Sequence, residues 1–121
     1  MRARIEALRA GDLAAIEACS VELRTRFLSH ELPATLAAEL AAAHATLCER
    51  AGAADVAVRS SATTEDAADA SFAGLQDTYL WVSDSMLLTR VRACWSSLYS
   101  VESISYRRDR GITERDVAMA V

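Results

Sequence analysis

Lysine is absent. All 13 basic residues of the 121-residue chain are arginine, so neither a P-loop lysine nor a Schiff-base lysine can come from within it. One proline and four glycines leave little material for a linker or a low-complexity tract. No internal repeat is visible. Three scattered cysteines, Cys19, Cys48 and Cys94, form no CxxC pair, which reads as reduced, small, helix-buried thiols of a cytoplasmic protein. The only histidines, His30 and His44, have no ligand spacing and read as surface or boundary residues. No apolar run approaches the length of a membrane span, and the start, MRARIEALRAGD, lacks the apolar stretch of a signal peptide. Acidic residues outnumber basic ones, 17 to 13, for a net charge of −4. That balance excludes a general nucleic-acid-binding surface.

What remains is rich in core material. Hydrophobic residues make up 52% of the chain, enough for one folded domain and too much for disorder. Residues 1–54 read as a helical hairpin. Asp12 is placed to cap a helix whose inner face carries Ile16, Leu23 and Phe27. Pro33 opens the second helix, Leu36, Leu40, Ala43 and Leu47 form its stripe, and Ala51-Gly52 ends it.

Residues 55–121 read as strand, loop and strand with flanking helices. Val56-Ala57-Val58 is a short buried strand, and Thr78 to Val82 is a second, aromatic and β-branched. Ser83 or Asp84 caps a helix with the stripe Leu88, Val91, Trp95 and Leu98. Another helix covers about Val101 to Arg110 and stops at Gly111. Asp116 to Val121 alternates as a strand does.

The chemistry concentrates between the two strands. Arg59 stands at a strand exit, where side chains of α/β sheets reach ligands. A guanidinium there can grip a phosphate through two parallel hydrogen bonds. Ser60, Ser61, Thr63 and Thr64 add hydroxyls, Gly74 lets backbone approach a ligand, and Thr78 offers a hydroxyl to the same anion. A loop of this length in a compact domain is usually functional. Glu65, Asp66, Asp69 and Asp77 lack metal-ligand spacing and read as a solvated acidic loop. Arg107, Arg108 and Arg110 read as charges placed against a helix dipole. Trp81 and Trp95 read as core or interface.

The string Val56-Ala-Val-Arg-Ser-Ser-Ala-Thr-Thr-Glu-Asp66, followed by Asp69-Ala-Ser-Phe-Ala-Gly-Leu-Gln-Asp-Thr-Tyr-Leu80, resembles the signature of the nucleotide-binding domain of the phosphoenolpyruvate synthase and pyruvate phosphate dikinase family. Rifampin phosphotransferases share the module. The flanks, Cys94-Trp-Ser-Ser-Leu-Tyr and Ile104-Ser-Tyr-Arg, are similar in order and spacing, so the resemblance covers nearly the whole chain. It implies an α+β, ATP-grasp-like fold with a small mixed sheet. It implies that Arg59 contacts ATP phosphates while Gly74 and Thr78 line the nucleotide site.

For a complete enzyme it implies that ATP, pyruvate and water give phosphoenolpyruvate, AMP and phosphate, with magnesium, through a phosphohistidine on another domain. Two departures stand out: Ala67-Ala68 replaces a usual Leu-Pro, and Leu75 a usual Gln. The family's ATP-binding lysine, its magnesium ligands and its histidine domain have no counterpart in these residues. No catalytic residue and no metal ligand are therefore expected in this chain. The expectation is a partial ATP-binding domain, inactive alone and weak in ATP affinity, completed by a companion chain or a homodimer. The alternatives are the ATP domain of an antibiotic phosphotransferase and a non-catalytic interaction module.

Overall fold

The computed structural model describes residues 1–62 and 77–121. Helices α1 (Arg2–Glu6), α2 (Leu13–Ser29) and α3 (Ala34–Ala51) lead into strands β1 (Val56–Arg59) and β2 (Ser61–Ala62). After residues 63–76 come β3 (Thr78–Val82), α4 (Asp84–Ser96), a 3₁₀ turn (Ser97–Tyr99), α5 (Val101–Asp109) and β4 (Met119–Ala120). This is an α+β fold in which helices dominate.

The helix ends obey local chemistry. Asp12 Oδ1 accepts a hydrogen bond from the Ala15 amide at 3.2 Å, satisfying one orphan donor of α2. Gly52 closes α3 at φ 61°, a left-handed conformation that costs glycine little. At its other end Pro33 takes the cap position itself, its fixed φ of −51° feeding the first turn.

Among the described residues, two apolar clusters form. Ile5, Ile16, Cys19, Leu23 and Ile104 join α1, α2 and α5. Val58, Val82, Leu87, Val91 and Cys94 join α4 to the inner face of the sheet. Each buried aliphatic side chain contributes about 1.5–3 kcal/mol before entropy is subtracted. The α4 stripe keeps Val91 and Leu98 but buries Leu87 and Cys94 where the sequence expectation named Leu88 and Trp95. Leu87 is buried and Leu88 only half-buried, because two adjacent leucines fit the helical period about equally well.

The α3 stripe differs more. Leu47 is 52% exposed, Ala43 is exposed as well, and the buried residue is His44. The expectation of a surface or boundary residue therefore fails for His44 and holds for exposed His30.

All described strand pairing is antiparallel, β1 with β3 and β2 with β4. The register Val56↔Val82, Val58↔Tyr79 and Arg59↔Thr78 leaves one extra residue on β3, a bulge opposite Ala57. Trp81 sits in it at φ 55°, 80% exposed, so it is not a core residue. A tryptophan in that backbone region stores strain of about 1–2 kcal/mol.

Arg107 overturns another expectation. It lies fully buried and does not serve as a solvated dipole partner. Its Nε donates to Glu114 Oε1 at 2.8 Å, and its Nη1 donates to Leu98 O at 2.8 Å and Ser103 Oγ at 2.7 Å. Glu114 is itself 3% exposed. The pair pins the return from α5 toward β4, and so the pairing of β4 with β2.

Candidate functional site

Alternation along β1 decides which side chains meet. Val58 points into the core, so Ala57 and Arg59 point out, and both are exposed. On β3, Thr78 and Leu80 are likewise exposed while Tyr79 turns inward. Arg59 and Thr78 are direct cross-strand partners. Such partners project from the same face with Cβ atoms about 4.5–5.5 Å apart. The guanidinium and the hydroxyl named from sequence therefore share one outward patch. Gly74, the third, lies outside the described residues, as do Ala67-Ala68 and Leu75.

The start of β3 is held from two helices. Tyr79 Oη donates to Asp77 Oδ2 at 2.8 Å, and Arg24 of α2 stands 3.9 Å from the same oxygen. The Cys94 thiol of α4 donates to the Asp77 carbonyl at 3.3 Å. The Arg90 guanidinium lies over the Tyr79 ring, 5.0 Å from its centroid, a cation–π contact. Burial, the Asp77 hydrogen bond and the Asp77 charge push the Tyr79 phenol up to about 12. Burial likewise raises the Cys94 thiol, a shift opposed by a hydrogen bond with Ser60.

Sequence reasoning set Asp77 aside as a solvated acid and passed over Arg24, Tyr79 and Arg90. The local signal was available: Tyr79 two residues from Asp77 on an extended strand lies on its side of the sheet. Arg24 is far away in the chain and left no such signal.

A cleft of about 290 Å³ opens against β1, lined also by residues of α3 and α4. Leu40, Leu47, Val58, Leu87, Val91 and Val121 line it, with Arg59 at one end.

Chemically, an exposed guanidinium beside a hydroxyl fits an anion with several oxygens, such as a phosphate chain. Among the described residues no group of three or more His, Cys, Asp or Glu side chains is arranged to hold a metal ion. No described helix is long and apolar enough to cross a membrane.

Comparison with known proteins identifies the family. The profile of the family described as "Pyruvate phosphate dikinase, AMP/ATP-binding domain" matches residues 1–121. A rifampicin phosphotransferase of Streptomyces sviceus is 43% identical over 111 residues, covering 91% of this chain and 12% of that protein. A phosphoenolpyruvate synthase of Synechocystis sp. is 40% identical over 121 residues, covering 94% and 15%. A phosphoenolpyruvate synthase of Helicobacter pylori is 38% identical over 120 residues, covering 97% and 15%. The chain thus spans less than a fifth of each of these relatives.

Proposed function

Since the chain belongs to the pyruvate phosphate dikinase AMP/ATP-binding domain family, we propose that it supplies the phosphate-gripping part of an ATP site, with Arg59 as the cation. Thr78 adds a hydroxyl donor from the neighbouring strand. Gly74 is assigned to the same site by the family resemblance alone. The observation that carries this reading is the register that sets Arg59 opposite Thr78, both exposed on one face.

The work of the patch is binding and orientation. A planar guanidinium offers parallel N–H donors to two oxygens of one phosphate, fixing its angle as well as its position. The threonine hydroxyl rotates to donate to a third. Asp77, tied to Tyr79 and Arg24, fixes where Thr78 enters the strand. Magnesium, when bound with the nucleotide, would neutralise phosphate charge, and its ligands lie outside this chain. The whole protein then phosphorylates pyruvate through a phosphohistidine carrier, giving phosphoenolpyruvate in the cytoplasm. A rifamycin acceptor is the second reading, favoured by the Streptomyces sviceus relative. Genomic sequence flanking this reading frame distinguishes the two acceptors.

Titration of the labelled chain with Mg-ATP, followed by amide chemical shifts and calorimetry, tests the site. Weak binding is expected, with shifts centred on Arg59 and Thr78, and no kinase activity. Arg59→Ala should weaken it by about 1.5–3 kcal/mol, the usual size for a hydrogen bond to a charged group. Binding that is indifferent to Arg59, or shifts confined to another face, would remove the assignment. No binding at any concentration would favour a non-catalytic interaction module.

A further inference from the structure

A nucleophile and two titratable groups meet where α3 packs on α4, outside the anion patch. His44 and Cys48 stand one turn apart on the same face of α3. His44 is 8% exposed. Its Nε2 lies 3.6 Å from the Cys48 sulfur, and its Nδ1 lies 3.8 Å from Oδ1 of Asp84, in the first turn of α4. One ring nitrogen thus faces a thiol and the other a carboxylate. The carboxylate favours the proton on Nδ1, which leaves the Nε2 lone pair turned to the sulfur.

The three cysteines differ in what they can do. Cys19 and Cys94 are buried, and burial raises both thiols. Cys48 is half-buried, so a small reagent can reach it. Its single proton has two acceptors, His44 Nε2 and, at 3.7 Å, the Ala54 carbonyl. The trio of Cys48, His44 and Asp84 is not arranged to hold a metal ion. It has instead the parts that thiol chemistry uses: a nucleophile, a base in reach of its proton, and a group that orients the base.

We propose that Cys48 is a site of reversible exchange with small disulfides, with His44 as the base and Asp84 as a positioning residue. The Cys48 sulfur attacks one sulfur of the reagent while His44 takes the thiol proton. A disulfide between Cys48 and half of the reagent forms, and the reagent's own S–S bond breaks. The other half departs as a thiolate with the electron pair and collects the proton from His44. Cys48 is oxidised and the reagent reduced; a second thiol reverses the step. The imidazolium formed on the way lies beside the Asp84 carboxylate. Modification releases the thiol from His44 and from the Ala54 carbonyl, in the turn that leads from α3 into β1. None of this rests on the ATP reading.

The test incubates the full chain with excess glutathione disulfide at neutral pH and reads the adduct at each cysteine by peptide mass spectrometry over time. Cys48 should react at least about tenfold faster than Cys19 or Cys94, and added thiol should reverse the adduct. His44→Gln should slow Cys48 about tenfold or more, below the usual scale of a lost general base because the solvent can also take the proton. Asp84→Asn, at a side chain 80% exposed, should slow it by less. Combined with His44→Gln it should add nothing, because Asp84 acts only through the imidazole. Adducts at Cys19 and Cys94 report any loosening of the fold. Where His44→Gln exposes those two, Asp84→Asn decides: slower exchange at Cys48 supports the proposal and an unchanged rate overturns it. Equal or faster reaction of Cys19 or Cys94 in the parent overturns it as well. So does a Cys48 rate that His44→Gln leaves within about twofold of the parent, or an Asp84 effect that persists without His44.

Discussion

Replacing Arg107 by methionine removes a guanidinium that is fully buried and keeps most of its apolar volume. Four hydrogen bonds disappear: two to Glu114, at 2.8 and 3.4 Å, one to Leu98 O and one to Ser103 Oγ. The larger loss is electrostatic, because the Glu114 carboxylate, 3% exposed, is left without its counter-charge. Breaking a buried pair from one side costs about 3–5 kcal/mol. That is a large part of the roughly 5–15 kcal/mol that stabilises a domain. Arg107→Met and Glu114→Gln should each lower the unfolding free energy by that amount, read as a lower urea midpoint at unchanged slope. The double variant, Arg107→Met with Glu114→Leu, should recover to within about 1–2 kcal/mol of the parent, since apolar replacement of a whole buried pair is often close to neutral. A single-variant cost below about 1 kcal/mol would refute the claim that the pair is desolvated. Strictly additive losses in the double variant would refute the claim that the two side chains act on each other.

Three further outcomes follow from the geometry. Trp81→Asn should stabilise the chain by about 1 kcal/mol in urea unfolding, because asparagine tolerates the left-handed backbone and an indole 80% exposed gives up little burial. Gly52→Ala should destabilise by about 1 kcal/mol, since φ is 61° and nothing lies within 4 Å of the added Cβ, leaving conformation as the sole cost. The Tyr79 phenol ordinarily titrates near 10 and is pushed to about 12 here. Between those values the unfolded chain sheds its proton while the folded chain keeps it, so stability falls as pH rises from 10 toward 12. Unfolding curves at pH 9 and 11.5 should show that fall, and Tyr79→Phe should make it shallower.

Local patterns carried the sequence reading a long way. Thr78 to Val82 was delimited to the residue, because alternation and β-branched or aromatic side chains coincide there. Asp12, Gly52 and the stop after α5 follow from capping chemistry that spans a few residues. The misses share a different cause. Arg107 looked like a surface charge because its partner lies beyond Gly111, across a turn whose path depends on the packing of α5. His44 was hidden in an alanine-rich helix, where small residues on every face blur the apolar stripe. Trp81 was read as core or interface, and the core half of that reading failed because the bulge that turns it outward is a property of two strands, not one. At the site, Arg59 and Thr78 were named from a motif, and their direct pairing required the register. Arg24, contributed by α2, was invisible for the same reason that Arg107 was: its partner is set by tertiary contacts.

The two apolar clusters have their own consequence. One, around Ile16, Leu23 and Ile104, belongs to helices alone; the other, around Val58, Val82 and Val91, carries the strands. Separate cores can melt in separate steps. Loosening of the strand-bearing cluster would release any grip on a ligand while α1, α2 and α5 keep their helicity. A preparation that retains part of its helicity can therefore already have lost its business end.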